Sequence, residues 1–484
     1  LLLGAGLRFY RLGSLELRAD EGASWAAAVA PNLRIVVREE QDLDPGKLAL
    51  YDLMLHGWIG MFGDSLFAMR AMSATLGTIA IVLVFAAVRE ILISLGDHSA
   101  GVADDALDGK PGADELDIHA GADKDEARQV GELAAMAGAF AAMLYATNLG
   151  MVLSDRTVRM YSLVVTAELL QIMFLVRAQR RGGAGNYIGI AIFTAAMIAA
   201  NFTASFLLAA EALWFAGLQA AKFAGARAGG LAIFRPGFAV LAGLALLGPM
   251  MPGAIASSAA AVRYGAINWL KLQPISWPYA ALRGSAGSYS LFNVLVALGV
   301  FGAWWNWRRM RLASGFFGAW VLGPLVGVMA VTYLIRPIEY PRYVIIAFVG
   351  LFAFAALGAG SVRPTVVRAA VATFLIYLSL HPLFHHWKSQ PVGAAWGKAA
   401  AIAALRTAPG ARIAVFPAFA DNVVRYYLPS ARRANVVGVQ DRCGRANVLI
   451  MSGFSLYSPA NVAKIEACYP NRVAALDRVE VRTR

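Results

Sequence analysis

Charge is what this chain has least of. Charged residues make up 15% of its 484 positions, where a soluble domain carries roughly 25%. That scarcity excludes a soluble globular protein. Cysteine is nearly absent as well: Cys443 and Cys468 are the only two, so no disulfide-rich scaffold is possible. They are either a disulfide, if that end of the chain is extracytoplasmic, or two core thiols. His381, His385 and His386 stand at the end of an apolar run with no Cys or acid cluster beside them, so a metal site is not indicated. No internal repeat is evident, which argues against the repeated halves of many secondary transporters.

What is present is hydrophobic length. Hydrophobic residues make up 59% of the chain, and many apolar runs approach the ~20 residues that span a bilayer. The expected spans are Leu66–Ile93, Leu133–Leu153, Ser162–Val176, Tyr187–Ala200, Phe202–Ala220, Gly237–Ile255, Leu291–Trp307, Phe316–Leu334, Val344–Leu357 and Val366–Leu383. Leu1–Leu7 reads as the tail of a first helix whose start is missing from the sequence, which brings the count to roughly eleven. Leu48–Phe62 is too short to cross and is expected to lie at the interface. Gly248-Pro249 and Pro252-Gly253 predict a kinked helix end. Glu168 and Glu211 fall within spans and are expected to face the bundle interior.

The net charge of +13 comes from short basic loops beside these helices, which is the positive-inside pattern and not a nucleic-acid surface. Arg177, Arg180 and Arg181; Lys222, Arg227 and Arg235; Arg308, Arg309 and Arg311; and Arg363 with Arg368 all fall on one side if Leu48–Phe62 does not cross. That side is cytoplasmic. Arg8–Lys47, Ser154–Tyr161, Ser257–Ser290, Ile335–Arg342 and everything after His385 are then outside. The segment 96–132 holds eleven acids against three Lys or Arg and reads as an unstructured cytoplasmic loop. The aromatics Tyr264, Trp269, Trp277, Tyr279 and Tyr289 read as an interfacial belt, with stacking on sugar or isoprenoid as the alternative. After residue 388 the pattern changes. Short strands at Arg412–Phe416, Val436–Val439, Asn447–Met451 and Val479–Val481 alternate with helices at Asn422–Leu428 and Pro459–Ala467, which predicts a small α/β domain. The expected architecture is therefore a polytopic α-helical membrane domain over 1–387 and an extracytoplasmic α/β domain over 388–484.

Candidate chemistry gathers in the outer segments. Asp20 and Glu21 are adjacent acids in a protein poor in acids, and neighbours on a helix point about 100° apart. They are either interfacial acids paired with Arg18 or Arg8, or a base with its orienting partner. Lys47, Arg159, Arg336 and Arg342 are expected at headgroup depth on the same face. There they either snorkel or bind a lipid-linked phosphate, with Arg forks suited to its oxygens.

Several stretches here resemble the GT-C class of membrane glycosyltransferases, specifically the family of protein O-mannosyltransferases and lipid A aminoarabinose transferase. They are Asp20-Glu21, Lys47-Leu48-Ala49-Leu50-Tyr51, Phe62-Gly63, Arg70, Arg159-Met160-Tyr161 and Glu339-Tyr340-Pro341-Arg342-Tyr343. Two departures stand out. Leu48 and Ala49 replace a Pro-Pro pair, and Thr157 replaces a glutamate whose role either passes to Asp155 or is absent.

The resemblance implies a polyprenyl-phosphate sugar as donor, Asp20 as catalytic base with Glu21 as the alternative, and a donor phosphate held by Lys47, Arg159, Arg342, Tyr343 and Arg336. Asp155, Tyr161 and Tyr51 would support them. It implies no cofactor, and a divalent metal is not indicated. The acceptor is left open among protein, glycan and lipid, and the place of action is the outer face of the cell (inner or plasma) membrane. The rival reading is a transporter or flippase for a lipid-linked or glycan substrate.

Overall fold

The protein is described by a computed structural model covering residues 1–96, 113–225, 235–263, 272–338, 340–389, 395–440, 443, 445–452, 459–476 and 479–484. Arg227, Tyr264, Trp269, Glu339 and residues 97–112 of the acidic segment lie outside it. Every expected span has a helical counterpart. Among the described residues seven helices are long and apolar enough to cross a membrane, or eight if Trp277–Ala286 and Tyr289–Trp305, bent by 104°, form one broken span. Ala184–Ala200 and Ala204–Leu218 are apolar but shorter.

Burial sorts these helices into layers. Pro341–Gly360 and Tyr161–Arg181 are 89% and 83% buried and form the centre. Arg235–Arg263 and Thr365–Ser389 are each 22% buried and turn apolar side chains such as Leu241 and Val366 outward, as lipid-facing helices do. Glu168 and Glu211 are buried in the interior, and Trp320 Nε1 donates to Glu168. Leu50–Phe62 is a separate helix of 13 residues, less than the ~20 a crossing requires. The Gly-Pro pair does break its helix: Arg235–Leu246 ends, a 3₁₀ turn covers Gly248–Met250, and Met251–Arg263 follows.

Several boundaries differ from expectation: the helix expected from Phe316 starts at Trp307, and those expected to end at Val176 and Leu383 run on to Arg181 and Ser389. The span expected over Leu133–Leu153 belongs to a helix that starts at Ala113, inside the acidic segment, and stops at Thr147. Asn148 stops it because its side chain caps a new helix, Leu149–Asp155, by accepting from Met151 N.

The C-terminal residues form a five-stranded sheet of β1 (Ile413–Phe416), β2 (Val436–Gly438), β3 (Val448–Ser452), β4 (Asn471–Leu476) and β5 (Val479–Thr483), in the order β2-β1-β3-β5-β4. β1 pairs parallel with β2 and β3, whereas β5 is antiparallel to both β3 and β4. β4 and the helix Trp396–Arg406 are additions to the predicted elements. β4 is an exposed edge strand, Asn-Arg-Val-Ala-Ala-Leu, without the polar–apolar alternation that marks a half-buried strand. Cys443 and Cys468 form a disulfide.

The sheet domain docks directly on the segment that carries the adjacent acids. Leu17 N donates to Tyr427 Oη at 2.9 Å, Trp396 N to Glu16 Oε2 at 2.7 Å, and Tyr426 Oη to the Asp64 carbonyl at 3.1 Å. Gly22 faces Asp421–Tyr427 so closely that a Cβ there would lie 3.1 Å from Val423 N and 3.0 Å from its Cγ2. Glycine is what lets these two helices touch.

Candidate active site

Arg18 to Ala28 shows how one acid is buried and its neighbour is not. The helix Ala19–Ala28 starts in a capping box, with Glu21 at its third position accepting from Arg18 N at 2.9 Å. Reaching back to the helix start turns Glu21 inward. Arg70 then grips it with Nε to Oε1 at 2.9 Å and Nη2 to Oε2 at 2.7 Å, and Val158 N donates to Oε1 at 3.0 Å. Arg70 also donates to the carbonyls of Leu12, Leu15 and Glu16. Glu21 is completely buried with both oxygens doubly bonded. It joins three segments of chain.

Asp20, about 100° around the helix, points elsewhere. Its side chain is 33% exposed, and Oδ2 accepts from Arg342 Nη1 at 2.6 Å. Burial pushes the Asp20 carboxyl up, but the Arg159 and Arg342 guanidiniums outweigh it, and the group sits below its ordinary range. Arg342 in turn lies over the Tyr161 ring, 5.7 Å from its centroid. Tyr343 packs edge-on to Tyr340 at 5.5 Å.

A second chain of charges adjoins the first. Arg159 is buried; its Nη1 donates to the Asp20 carbonyl at 3.2 Å and its Nη2 to Asp44 Oδ2 at 2.5 Å. Asp44 also holds Lys47, whose Nζ is 3.6 Å from Glu40 Oε1. Burial raises the Asp44 carboxyl, yet Lys47 and Arg159 bring it down to about 2. Glu40 and Asp52, buried beside this pair, go the other way: burial raises both, and the nearby carboxylates add to it. The result is Lys47–Asp44–Arg159 on one flank of Asp20 and Arg342–Tyr161 on the other. A cavity of about 220 Å³ opens between Arg342, Tyr161, Arg18, Ser154, Thr157 and Ser285.

Most of the residues singled out from sequence thus meet, with three differences. Asp155 is buried away from the cluster, where it accepts from Arg8 Nε at 2.9 Å and from Tyr145 Oη. Expected to stand in for the glutamate that Thr157 replaces, it is instead turned inward at the end of the helix Leu149–Asp155. Tyr51 is buried and works at one remove: its hydroxyl meets Ser73 Oγ at 2.8 Å, and Ser73 donates to the Arg159 carbonyl. Among the described residues no contact ties Arg336 to the cluster.

Sequence reasoning gave no role to Asp44, Glu40 or Asp52. The signal was there: Glu40 and Asp44 are four apart at a helix end, and Asp44 precedes Lys47 by three. The missing Pro-Pro pair has a backbone consequence. Ala49 adopts φ +59°, which a proline ring, held near −65°, forbids. Among the described residues no three of His, Cys, Asp and Glu gather as a metal site.

No protein-family model and no curated protein sequence matches the chain. Solved structures do. ArnT from Cupriavidus metallidurans in the apo state superposes with a TM-score of 0.56 at 11% identity, covering 98% of this chain and 95% of that one. ArnT from the same organism bound to undecaprenyl phosphate gives 0.57 at 12%, covering 99% and 96%. At such identities the likeness speaks for the fold, and it runs the length of both chains. This chain has an ArnT-like membrane fold, with its small sheet domain at the C-terminus.

Proposed function

We propose that this protein is a glycosyltransferase that moves a sugar from a polyprenyl-phosphate carrier to an acceptor hydroxyl on the extracytoplasmic side of the cell membrane. One observation carries the reading: a partly exposed carboxylate, Asp20, is ion-paired to Arg342, and Arg342 lines a cavity of about 220 Å³. The ArnT structure with undecaprenyl phosphate bound supports a donor of that kind. The disulfide supports an oxidising, outer-face location for the sheet domain and for the acid-bearing helix on which it docks.

In this reading Asp20 is the base and Glu21 fixes the helix that carries it. The acceptor O–H gives its proton to Asp20, the oxygen bonds to the anomeric carbon, and the sugar–phosphate bond breaks. The electron pair leaves on the polyprenyl phosphate, and the anomeric centre inverts. Lys47, Arg159 and Arg342 are the cations for the phosphate as its charge grows, with Tyr161 and Tyr343 packed around them. A carboxylate held below its usual pKa is a weak base. The donor phosphate competes with Asp20 for Arg342, and as that ion pair loosens Asp20 regains basicity. Donor binding thereby prepares the base.

The test is reconstitution of the full chain in vesicles with polyprenyl-phosphate monosaccharides, following release of polyprenyl phosphate and the labelled product. Turnover with at least one donor is expected. Movement of intact donor across the bilayer without cleavage of the sugar–phosphate bond would make the protein a flippase instead.

A further inference from the structure

The cations assigned to the donor phosphate are already engaged by carboxylates of this chain: Lys47 and Arg159 with Asp44, and Arg342 with Asp20. Two arginines close by are not. Arg18 is exposed and, among the described residues, makes no close ion pair, although its charge acts on Asp20. Arg156 is half-buried. Its Nη1 donates to the Leu7 carbonyl at 2.9 Å and its guanidinium lies 5.5 Å from the centre of the Trp387 ring, again with no carboxylate partner among the described residues. The two line one cleft together with Arg70, Glu21, Leu153 and Thr157. Glu21 is taken by Arg70, so the cleft keeps two guanidinium groups to which no carboxylate is bonded among the described residues, with Asp20 acting on Arg18 from a distance. Burial, and after it the neighbouring charges of Arg70 and Arg18, draw Arg156 down to about 10.

Like charges held together at a partly buried site are unfavourable unless something neutralises them. Two features say what would. The charge is carried by guanidinium groups, which match phosphate oxygens in pairs. The cleft also shares Arg18, Leu153 and Thr157 with the 220 Å³ cavity that reaches Arg342 and Tyr161, which provides a way in. We propose that Arg18 and Arg156 form a second anion site, distinct from the Lys47–Arg159 flank, that binds a phosphate-class group. Two sources share that chemistry, a phosphate on a membrane lipid and a free soluble phosphate. The transferase reading gives the site its use, as the seat of an anionic acceptor or of departing phosphate. Binding itself does not depend on that reading.

The experiment measures binding without turnover. The full chain in nanodiscs of neutral phospholipid is titrated with inorganic phosphate. In parallel, nanodiscs containing phosphatidic acid are analysed by native mass spectrometry for retained anionic lipid. Wild-type protein is expected to bind one of the two probes, and the arm that responds identifies the source. Arg18→Gln and Arg156→Gln should each weaken that probe on the order of tenfold, as loss of one charged hydrogen-bonding group does. Arg38→Gln, at an exposed pair 83% and 68% accessible, should leave it unchanged. Arg18 is exposed and makes no close ion pair among the described residues, so its variant remains informative if Arg156→Gln fails to fold. Wild-type protein that binds neither probe, or binding that survives both substitutions, overturns the proposal. Neither outcome bears on turnover, so the transferase reading stands or falls separately.

Discussion

Replacing Glu21 by Gln separates a structural acid from a catalytic one. The carboxylate is fully buried and accepts two bonds from Arg70, one from Arg18 N and one from Val158 N. The amide keeps one acceptor oxygen but turns an NH₂ toward a donor. It also leaves the Arg70 guanidinium, only 3% exposed, without its counter-charge. Breaking such a pair from one side costs about 3–5 kcal/mol. Arg70 retains its three carbonyl partners, so the lower end, about 3 kcal/mol, is the expected loss. Denaturant unfolding of the purified protein in detergent, with wild type and Asp20→Asn alongside, reads it as a fall in midpoint. Asp20→Asn should cost far less, because its ion pair is one-third exposed. If Glu21→Gln unfolds with the wild-type midpoint and yet abolishes turnover, Glu21 is a catalytic group and the division of labour argued here is wrong.

The docked sheet domain should be equally sensitive at Gly22: a Val there meets Val423 within 3.1 Å, so limited proteolysis is expected to release or degrade the sheet domain faster than in wild type. At Ala49, with φ +59°, Gly should match or improve thermal stability by a few tenths of a kcal/mol to about 1 kcal/mol, whereas Pro should destabilise by several times that; equal melting of the two variants would refute the left-handed backbone. For pH, Asp44 has a folded value of about 2, below its ordinary 3.8. Its stabilising share is therefore fully present above the ordinary value and lost as pH falls toward 2. Against the effect of burial, Arg159 and Arg342 also lower Asp20, so its acid limb lies below the ordinary carboxylate value. Glu40 and Asp52 are raised and act in the opposite sense, so the Asp44→Asn variant is the one that isolates the effect in an acid-unfolding titration.

Much of the architecture was legible because it rests on one-dimensional signals. Apolar length marks spans, and a Gly-Pro pair marks a break. Three of the four predicted strands coincide with observed ones to within a residue at each end, while β5 runs two residues further than expected, to Thr483. What escaped depends on contacts distant in sequence. Nothing in Asn471–Leu476 signals a strand; it becomes one because β5 offers it an antiparallel edge. Asp155 looks like a site residue from its neighbours, but Arg8, 147 positions away, claims it. The division between Asp20 and Glu21 was half visible, since adjacent helical residues diverge. Which one turns inward depends on Arg70 and on the capping box. Arg18 appeared as a counter-ion for the acids, and only the packed structure shows Arg70 and Arg342 in that role.

Asp20 as the base, with its cationic neighbours serving the donor, is open to direct measurement. The most direct measurement compares wild type and Asp20→Asn, reconstituted with the donor that wild type uses, for both donor binding and glycosyl transfer. Transfer should fall by about 10²–10⁴-fold, the range for loss of a general base, while the donor dissociation constant does not rise above the wild-type value, because Arg342 loses the carboxylate that competes with the donor phosphate. Transfer by Asp20→Asn at the wild-type rate would contradict Asp20 as the base.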